Sequence, residues 1–217
     1  MTAVLFDFNG TLLFDTPLQE RAWQQYLRAT THRHFTNEEL QHHVYGRNAQ
    51  EIFRYVTQKE FSMEEIFLME EEKEQIYRAM CLQDPAFHLA QGAEAFLDRL
   101  VQEGIPRTIA TASARPNTRF FYEQLHLERW FSWQDIIYND GSFKGKPAPD
   151  IYLLAAQVLH QDIHDCIIFE DSYSGIQAAK NAEAKIVIGV ASQLEPQILI
   201  QAGADRVIHD YTELLSL

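Results

Sequence analysis

The feature that most constrains this chain is an alternation that begins after about residue 90. The runs RTIATAS (107–113), CIIFED (166–171), KIVIGVA (185–191) and DRVIHD (205–210) are short, apolar and rich in Ile and Val. Such runs read as strands buried on both faces, and QDIIY (134–138) adds a weaker fifth. Helical stripes lie between them. Ala93, Phe96, Leu97, Leu100 and Val101 follow i, i+3, i+4, i+7, i+8, and Gly104 closes that helix. Ile151, Leu154, Ala155, Val158 and Leu159 repeat the spacing. Strand and helix alternating at this length predict an α/β chain with a mostly parallel, doubly wound sheet, and such sheets bind ligands at the carboxyl ends of their strands.

Residues 15–86 follow a different pattern. They show no convincing strand, and they carry two capping boxes, Thr36-x-x-Glu39 and Ser62-x-x-Glu65. Ile66, Met69, Ile76, Tyr77 and Met80 form a helical stripe behind the run MEEEKEQ, which reads as a solvated helix face. The expected organisation is therefore a core of residues 1–14 plus 87–217, with an all-helical insert at 15–86 following the first strand.

Charge narrows the range of partners. Of 217 residues, 31 are acidic and 18 basic, for a net charge of −13, and no basic stripe is present. Nucleic acid and anionic membrane surfaces are thereby disfavoured, and any anionic ligand would need a local cation or backbone N–H groups. Cys81 and Cys166 are far apart, which suits a reducing compartment better than a disulfide framework. No stretch of 18 apolar residues occurs, and the N-terminal MTAVLFDFNG lacks a basic leader region. A cytoplasmic protein is the expectation, with monomer as the default for such a chain.

Four pieces, distant in sequence, share one position, at or just after the end of a predicted strand. They are Asp7-x-Asn9-Gly10-Thr11 in VLFDFNGTL, Thr111 in IATAS, Lys146 in KGKPAPD, and Glu170-Asp171 in IIFEDSYSG. Singly each has a plain reading: Asp7 as a turn residue, Thr111 as a strand threonine, Lys146 as loop surface, Glu170-Asp171-Ser172 as a helix N-cap. Together, on the carboxyl edge of one parallel sheet, they suit phosphoryl transfer. Asp7 and Asp171 are oxygen ligands for a hard cation such as Mg²⁺, and Asp7 could also attack phosphorus. Thr111 and Lys146 could stabilise the equatorial oxygens. Gly10 and Thr11 would let backbone N–H groups approach a phosphate, and Ser113 is a further candidate contact. The histidines of THRHF (31–35) and QHH (41–43) have no acidic partner at a metal-like spacing and read as surface or packing residues. Cys166 reads as a buried small residue, and Trp23 as core.

These pieces resemble the haloacid dehalogenase (HAD) superfamily, and within it the subfamily of β-phosphoglucomutase and small sugar-phosphate phosphatases. The likeness spans the whole chain and is most specific at GKPAPDIY and EDSYSGIQAA. It implies a Rossmann-like core, a helical cap at 15–86, Mg²⁺ as cofactor, and an aspartyl-phosphate formed on Asp7. It also implies a metal held by Asp7, the Asn9 main-chain carbonyl and Asp171, with Glu170 orienting the metal's waters. The cap stretch VYGRNAQEI is similar to the family's substrate-reading loop, which makes Gly46 and Arg47 candidate contacts.

Two departures from the family pattern bear on function. Where these phosphatases and mutases carry a second, acid–base Asp, this chain has Asn9, which cannot exchange a proton near neutral pH. Where the mutase cap carries a His upstream of RAW, this chain has Gln19, which disfavours a β-phosphoglucomutase. A dehalogenase would leave Glu170-Asp171 without a purpose. A phosphonoacetaldehyde hydrolase would need a cap lysine, for which only Lys59 and Lys73 are available. The expectation is a phosphatase of a small phosphorylated metabolite, of reduced activity on alkyl phosphates, in which Asp7, Asn9, Thr111 and Lys146 do the chemistry; the alternatives are a phosphate-ligand binding or regulatory protein, or a phosphomutase.

Overall fold

A computed structural model describes residues 2–44 and 49–215. In chain order the elements are β1 (Ala3–Phe6), α1 (Thr16–Thr31), α2 (Asn37–His43), α3 (Ala49–Thr57), α4 (Met63–Cys81), α5 (Ala93–Gln102), β2 (Arg107–Ala114), α6 (Arg115–Gln124), β3 (Ile137–Asn139), α7 (Asp150–Val158), β4 (Cys166–Glu170), α8 (Tyr173–Asn181), β5 (Ile186–Val190), α9 (Pro196–Ala202) and β6 (Arg206–Ile208). The chain divides into two compact units, Met1–Phe14 with His88–Leu217, and Asp15–Phe87.

The first unit is built on a six-stranded sheet in the order β3-β2-β1-β4-β5-β6. All its pairings are parallel. This is the doubly wound α/β arrangement that the strand–helix alternation predicts, and the strand order reverses between β1 and β4. Both faces of the sheet are covered, so every residue of β1 is buried and its sequence, Ala-Val-Leu-Phe, does not alternate. On one face Leu5, Ile168 and Val187 pack against Ile151, Tyr152 and Ala155 of α7, Ile176 and Ala179 of α8, and Leu199 of α9. On the other face Phe6 stacks on Phe169 with ring centroids 5.1 Å apart, and Phe96 of α5 and Tyr211 close the cluster. Burying a side chain of this size contributes about 1.5–3 kcal/mol each. These two layers hold β1 and β4 rigidly side by side.

The boundaries of the strands follow local chemistry. Observed β4, β5 and β6 fall within the expected runs, and α5 and α7 match their stripes. Two strands differ from expectation. The weak run at 134–138 yields only the three residues of β3, displaced towards its C-terminal side, because Trp133–Asp135 form a 3-10 turn. β2 continues beyond Thr111 to Ala114, across a register shift in its pairing with β3, so Thr111 lies inside the strand rather than at its end.

In the second unit each expected capping box is present. The Thr36 hydroxyl accepts from the Glu39 N–H at 3.1 Å while the Glu39 carboxylate accepts from the Thr36 N–H at 2.9 Å. Ser62 and Glu65 do the same at 3.3 and 2.8 Å. These pairs satisfy N–H groups that the first turns of α2 and α4 cannot bond internally. Tyr26, Leu27, Leu40, Ile52, Phe53 and Ile66 form the core of this unit, and Trp23 packs against it.

MEEEKEQ is not a uniformly solvated face. Lys73 in its middle is 3% exposed. The reason is helical position: Ile66, Lys73, Tyr77 and Cys81 are the buried residues of α4 and share one stripe. Among the described residues no helix is long and apolar enough to cross a membrane.

Candidate active site

The parallel register places the candidate residues. Phe6 pairs with Ile109 of β2 and with Phe169 of β4. One residue further along, Asp7 comes level with Glu170, and its N–H donates to the Phe169 carbonyl at 3.0 Å. Asp7 thus leaves the sheet where the strand order reverses. The chain then turns tightly. Gly10 adopts φ +77°, and a Cβ placed there would lie 2.0 Å from an Asp171 carboxylate oxygen. Gly10 answers both demands, left-handed backbone and close approach. The turn is tied by the Gly10 N–H to the Leu13 carbonyl at 2.7 Å and by the Thr11, Leu12 and Leu13 N–H groups to the Phe8 carbonyl.

Around this turn the distant pieces meet. The Lys146 ammonium donates to Asp7 Oδ1 at 2.6 Å and also to Glu170 Oε1. Its side chain is 10% exposed, those of Asp7 and Glu170 only 9% and 1%. Glu170 is surrounded by donors: Lys146 and the Tyr152 hydroxyl (3.1 Å) on Oε1, the Ser172 N–H (2.7 Å) and hydroxyl (2.9 Å) on Oε2. Ser172 also caps α8, accepting from the Gly175 N–H at 3.0 Å. A Cβ on Gly175 would overlap the Glu170 carboxylate, at 1.7 Å. Thr11 donates its hydroxyl to Asp171 Oδ1 at 3.2 Å. On the β2 side the Ser113 hydroxyl donates to Asn9 Oδ1 at 2.8 Å, and the Ser113 N–H donates to Thr111 Oγ1 at 3.1 Å.

Electrostatics follow from this packing. Burial works against the Lys146 charge, but the Asp7 and Glu170 carboxylates outweigh it and hold its pKa well above the ordinary lysine value. Burial, followed by the Glu170 and Asp7 carboxylates, pushes Asp171 well above the ordinary carboxylate range. Burial likewise raises the Tyr152 phenol, which therefore serves Glu170 as a donor. The cluster gathers the carboxylates of Asp7, Glu170 and Asp171 around a single ammonium.

A family model described as haloacid dehalogenase-like hydrolase matches residues 1–183. The chain belongs to this family. As an HAD-like hydrolase it is similar to a phosphorylated carbohydrates phosphatase of Thermotoga maritima, 28% identical over 213 residues that cover 96% of this chain and 94% of the relative. It is 32% identical over 212 residues to the mitochondrial (DL)-glycerol-3-phosphatase 1 of Arabidopsis thaliana, covering 90% and 66%. Among solved structures, an HAD hydrolase of family IA, variant 3, from Entamoeba histolytica superposes with a TM-score of 0.93 at 41% identity, covering 98% of this chain and 95% of that one. The family resemblance read from the motifs, and the Rossmann-like α/β core it implies, are thus those of the HAD-like hydrolases.

Within the HAD-like core, Asp7, Asn9, Gly10, Thr11, Thr111, Ser113, Lys146, Glu170 and Asp171 all gather at the carboxyl edge of β1, β2 and β4. Gly46 and Arg47 lie outside the described residues. Tyr152 is the residue that the motif reading missed. It is fully buried, bonds Glu170, and sets its ring 5.3 Å from the Lys146 ammonium. No local signal marks it: a Tyr one helical turn beyond the Pro-Ala-Pro that follows Lys146, beside an apolar stripe, reads as core. In the second unit Lys73, a potential Schiff-base lysine, is engaged by Glu74 and by Gln19 Oε1 at 2.8 Å, beside the Trp23 ring. His32, His34, His42 and His43 are exposed.

Among the described residues no group of three or more His, Cys, Asp and Glu side chains is placed to hold a metal. With Glu170 taken up by Lys146, Tyr152 and Ser172, the carboxylates of Asp7 and Asp171 are the oxygen donors the cluster offers. That set suits Mg²⁺, which takes few carboxylates and keeps several waters. Burial, and then the Glu170 and Asp7 carboxylates, raise Asp171, and a bound cation would offset both.

Proposed function

We propose that the chain is a Mg²⁺-dependent phosphatase of small phosphorylated metabolites that works through an aspartyl-phosphate on Asp7. The observation that carries this reading is the meeting of Asp7, Lys146, Glu170 and Asp171 beside the Gly10-Thr11 turn. The names of the relatives, phosphatases of phosphorylated carbohydrates and of glycerol 3-phosphate, support the substrate class. Asp7, the Asn9 carbonyl and Asp171 would hold Mg²⁺, which supplies positive charge to the phosphoryl oxygens.

The protein's own groups account for the rest. Lys146, fixed by Glu170 and Tyr152, directs positive charge at Asp7 and at a phosphoryl group bound to it. An Asp7 carboxylate oxygen attacks phosphorus, the bond from phosphorus to the departing oxygen breaks, and that oxygen leaves with the electron pair. Water then attacks the phosphorus of the aspartyl-phosphate, releasing inorganic phosphate and restoring the carboxylate. Asn9 can donate a hydrogen bond to the departing oxygen but cannot protonate it. From acyl phosphates and phosphoanhydrides the departing group is a carboxylate or a phosphate, a stable anion that needs no proton, so these are the favoured substrates. A general acid–base is worth roughly 10²- to 10⁴-fold in rate.

The test is a panel of phosphorylated compounds assayed with Mg²⁺ on the wild type, Asp7→Asn and Asn9→Asp. Wild type should hydrolyse acetyl phosphate faster than alkyl phosphates, EDTA should stop turnover, and Asp7→Asn should abolish it. Asn9→Asp should raise alkyl-phosphate turnover roughly tenfold or more, the low side of the acid–base range. No gain on any alkyl phosphate would remove the missing-acid explanation. Asn9 also favours a second reading, a phosphate-ligand binding protein. Tight binding by calorimetry without product in the same samples would select it.

A further inference from the structure

We infer that Ser113 is the positioning residue that turns the Asn9 carboxamide, so that its amide nitrogen serves the departing oxygen. This rests on the phosphatase reading above, and extends it to a residue that the motifs suggested only as a phosphate contact. A carboxamide has one acceptor end and one donor end. The Ser113 hydroxyl donates to Asn9 Oδ1 at 2.8 Å. The acceptor end of Asn9 therefore faces β2, and its donor end faces away from it.

Ser113 is itself held firmly. Its N–H bonds Thr111 Oγ1 at 3.1 Å, and its carbonyl accepts from the Thr118 hydroxyl at 3.3 Å. Thr118 is buried in the first half of α6 and also bonds the Ala114 carbonyl at 3.1 Å. The orientation of Asn9 is thus set by the β2–α6 junction, and a carboxylate at position 9 would find the same donor waiting for it.

The hold has a second consequence. An Asn-Gly pair loses its side-chain amide when the glycine nitrogen bonds to the Asn Cγ, ammonia leaves, and water opens the resulting ring to aspartate or isoaspartate. At Asn9-Gly10 the Gly10 N–H is engaged by the Leu13 carbonyl at 2.7 Å, and the carboxamide oxygen is engaged by Ser113. Ser113 both orients the amide and slows its conversion to an acid.

Two measurements on Ser113→Ala and Ser113→Thr decide the matter. The first compares kcat and KM on acetyl phosphate and on glycerol phosphate. Ser113→Ala should lose roughly tenfold more kcat on the alkyl than on the acyl phosphate, as expected for a misdirected donor. Ser113→Thr should restore the ratio, and the difference should vanish in an Asn9→Ala background. The second ages the same proteins at mildly alkaline pH and follows the Asn9 peptide by mass spectrometry. Ser113→Ala should convert to the acid several-fold faster than wild type, and Ser113→Thr should not. Equal losses on both substrates, additivity with Asn9→Ala, or an unchanged conversion rate would each overturn the assignment. If the wild type hydrolyses no phosphorylated compound, the phosphatase reading fails and the conversion rate alone decides the role of Ser113.

Discussion

Each unit of this protein buries a cluster of charged and polar side chains, and the two clusters are built differently. In the sheet unit Lys146 sits between Asp7 and Glu170, with Asp171 beside them, and the partners come from the ends of β1 and β4 and the loop before α7. In the helical unit Lys73, Gln19, Tyr77 and Asp15 join α1 to α4. Gln19 accepts from Lys73 with one end of its amide at 2.8 Å and donates to Asp15 with the other at 3.3 Å, and the Tyr77 hydroxyl donates to Asp15 at 2.6 Å. In the helical cluster the Lys73 ammonium is matched by the Glu74 carboxylate, and Gln19 and Tyr77 supply neutral donors and acceptors around it. The sheet cluster concentrates three carboxylates on one ammonium, and burial makes that imbalance costly. A network that is complete within itself fastens helices together. A network with excess charge is one that a charged ligand completes.

Three variants would break or sharpen this contrast, and hydrogen exchange reads each unit separately. The largest effect is expected from Lys146→Met, which leaves the Asp7 and Glu170 carboxylates buried without their ammonium. It should destabilise the sheet unit by about 3–5 kcal/mol. Unchanged or increased protection there would mean that the excess of negative charge carries no penalty. Next is Tyr77→Phe, which removes the hydroxyl from buried Asp15. A hydrogen bond to a charged group is worth about 1.5–3 kcal/mol, and the loss should be confined to the helical unit.

The smallest effect is expected from Ser62→Ala, at about 1 kcal/mol in the helical unit at neutral pH. The Ser62 N–H, then the Ser62 hydroxyl, hold the Glu65 carboxyl below its ordinary value of 4.5. A carboxyl depressed on folding contributes stability above its unfolded value and loses it as the pH falls through the folded one. The penalty of Ser62→Ala should therefore shrink as the pH drops below 4.5. A penalty independent of pH would separate the serine cap from the Glu65 half of the box.

Much of this was readable from local pattern. Strands buried on both faces announce themselves as unbroken apolar runs, as in β1, β4 and β5. The two capping boxes are set by residues three apart, and Asp7, Lys146 and Glu170-Asp171 stand out by their position after strands. Three features were not readable. Lys73 lies in the acidic run MEEEKEQ, where composition points to solvent, yet its helical phase turns it inward beside Trp23 and Tyr77. Tyr152 looks like any aromatic in an apolar stripe until its hydroxyl meets Glu170 across eighteen residues of chain. The bond from Ser113 to Asn9 spans 104 residues, and no local pattern could reveal it.

By itself the sequence determined the kinds of element, their order, and the residue types able to do phosphoryl chemistry, because these depend on periodicity, capping and side-chain chemistry that act within a few residues. It also set the absence of a proton carrier at position 9, since an amide does not ionise wherever it is placed. Only the tertiary structure decided which of those residues meet. Parallel register brings Asp7 level with Glu170, close backbone approach at Gly175 and Gly10 seats the Glu170 and Asp171 carboxylates at the end of β4, and the Ser113 hydroxyl of β2 reaches the Asn9 amide. Each of those is a long-range packing choice, made when the sheet closes rather than when its strands form.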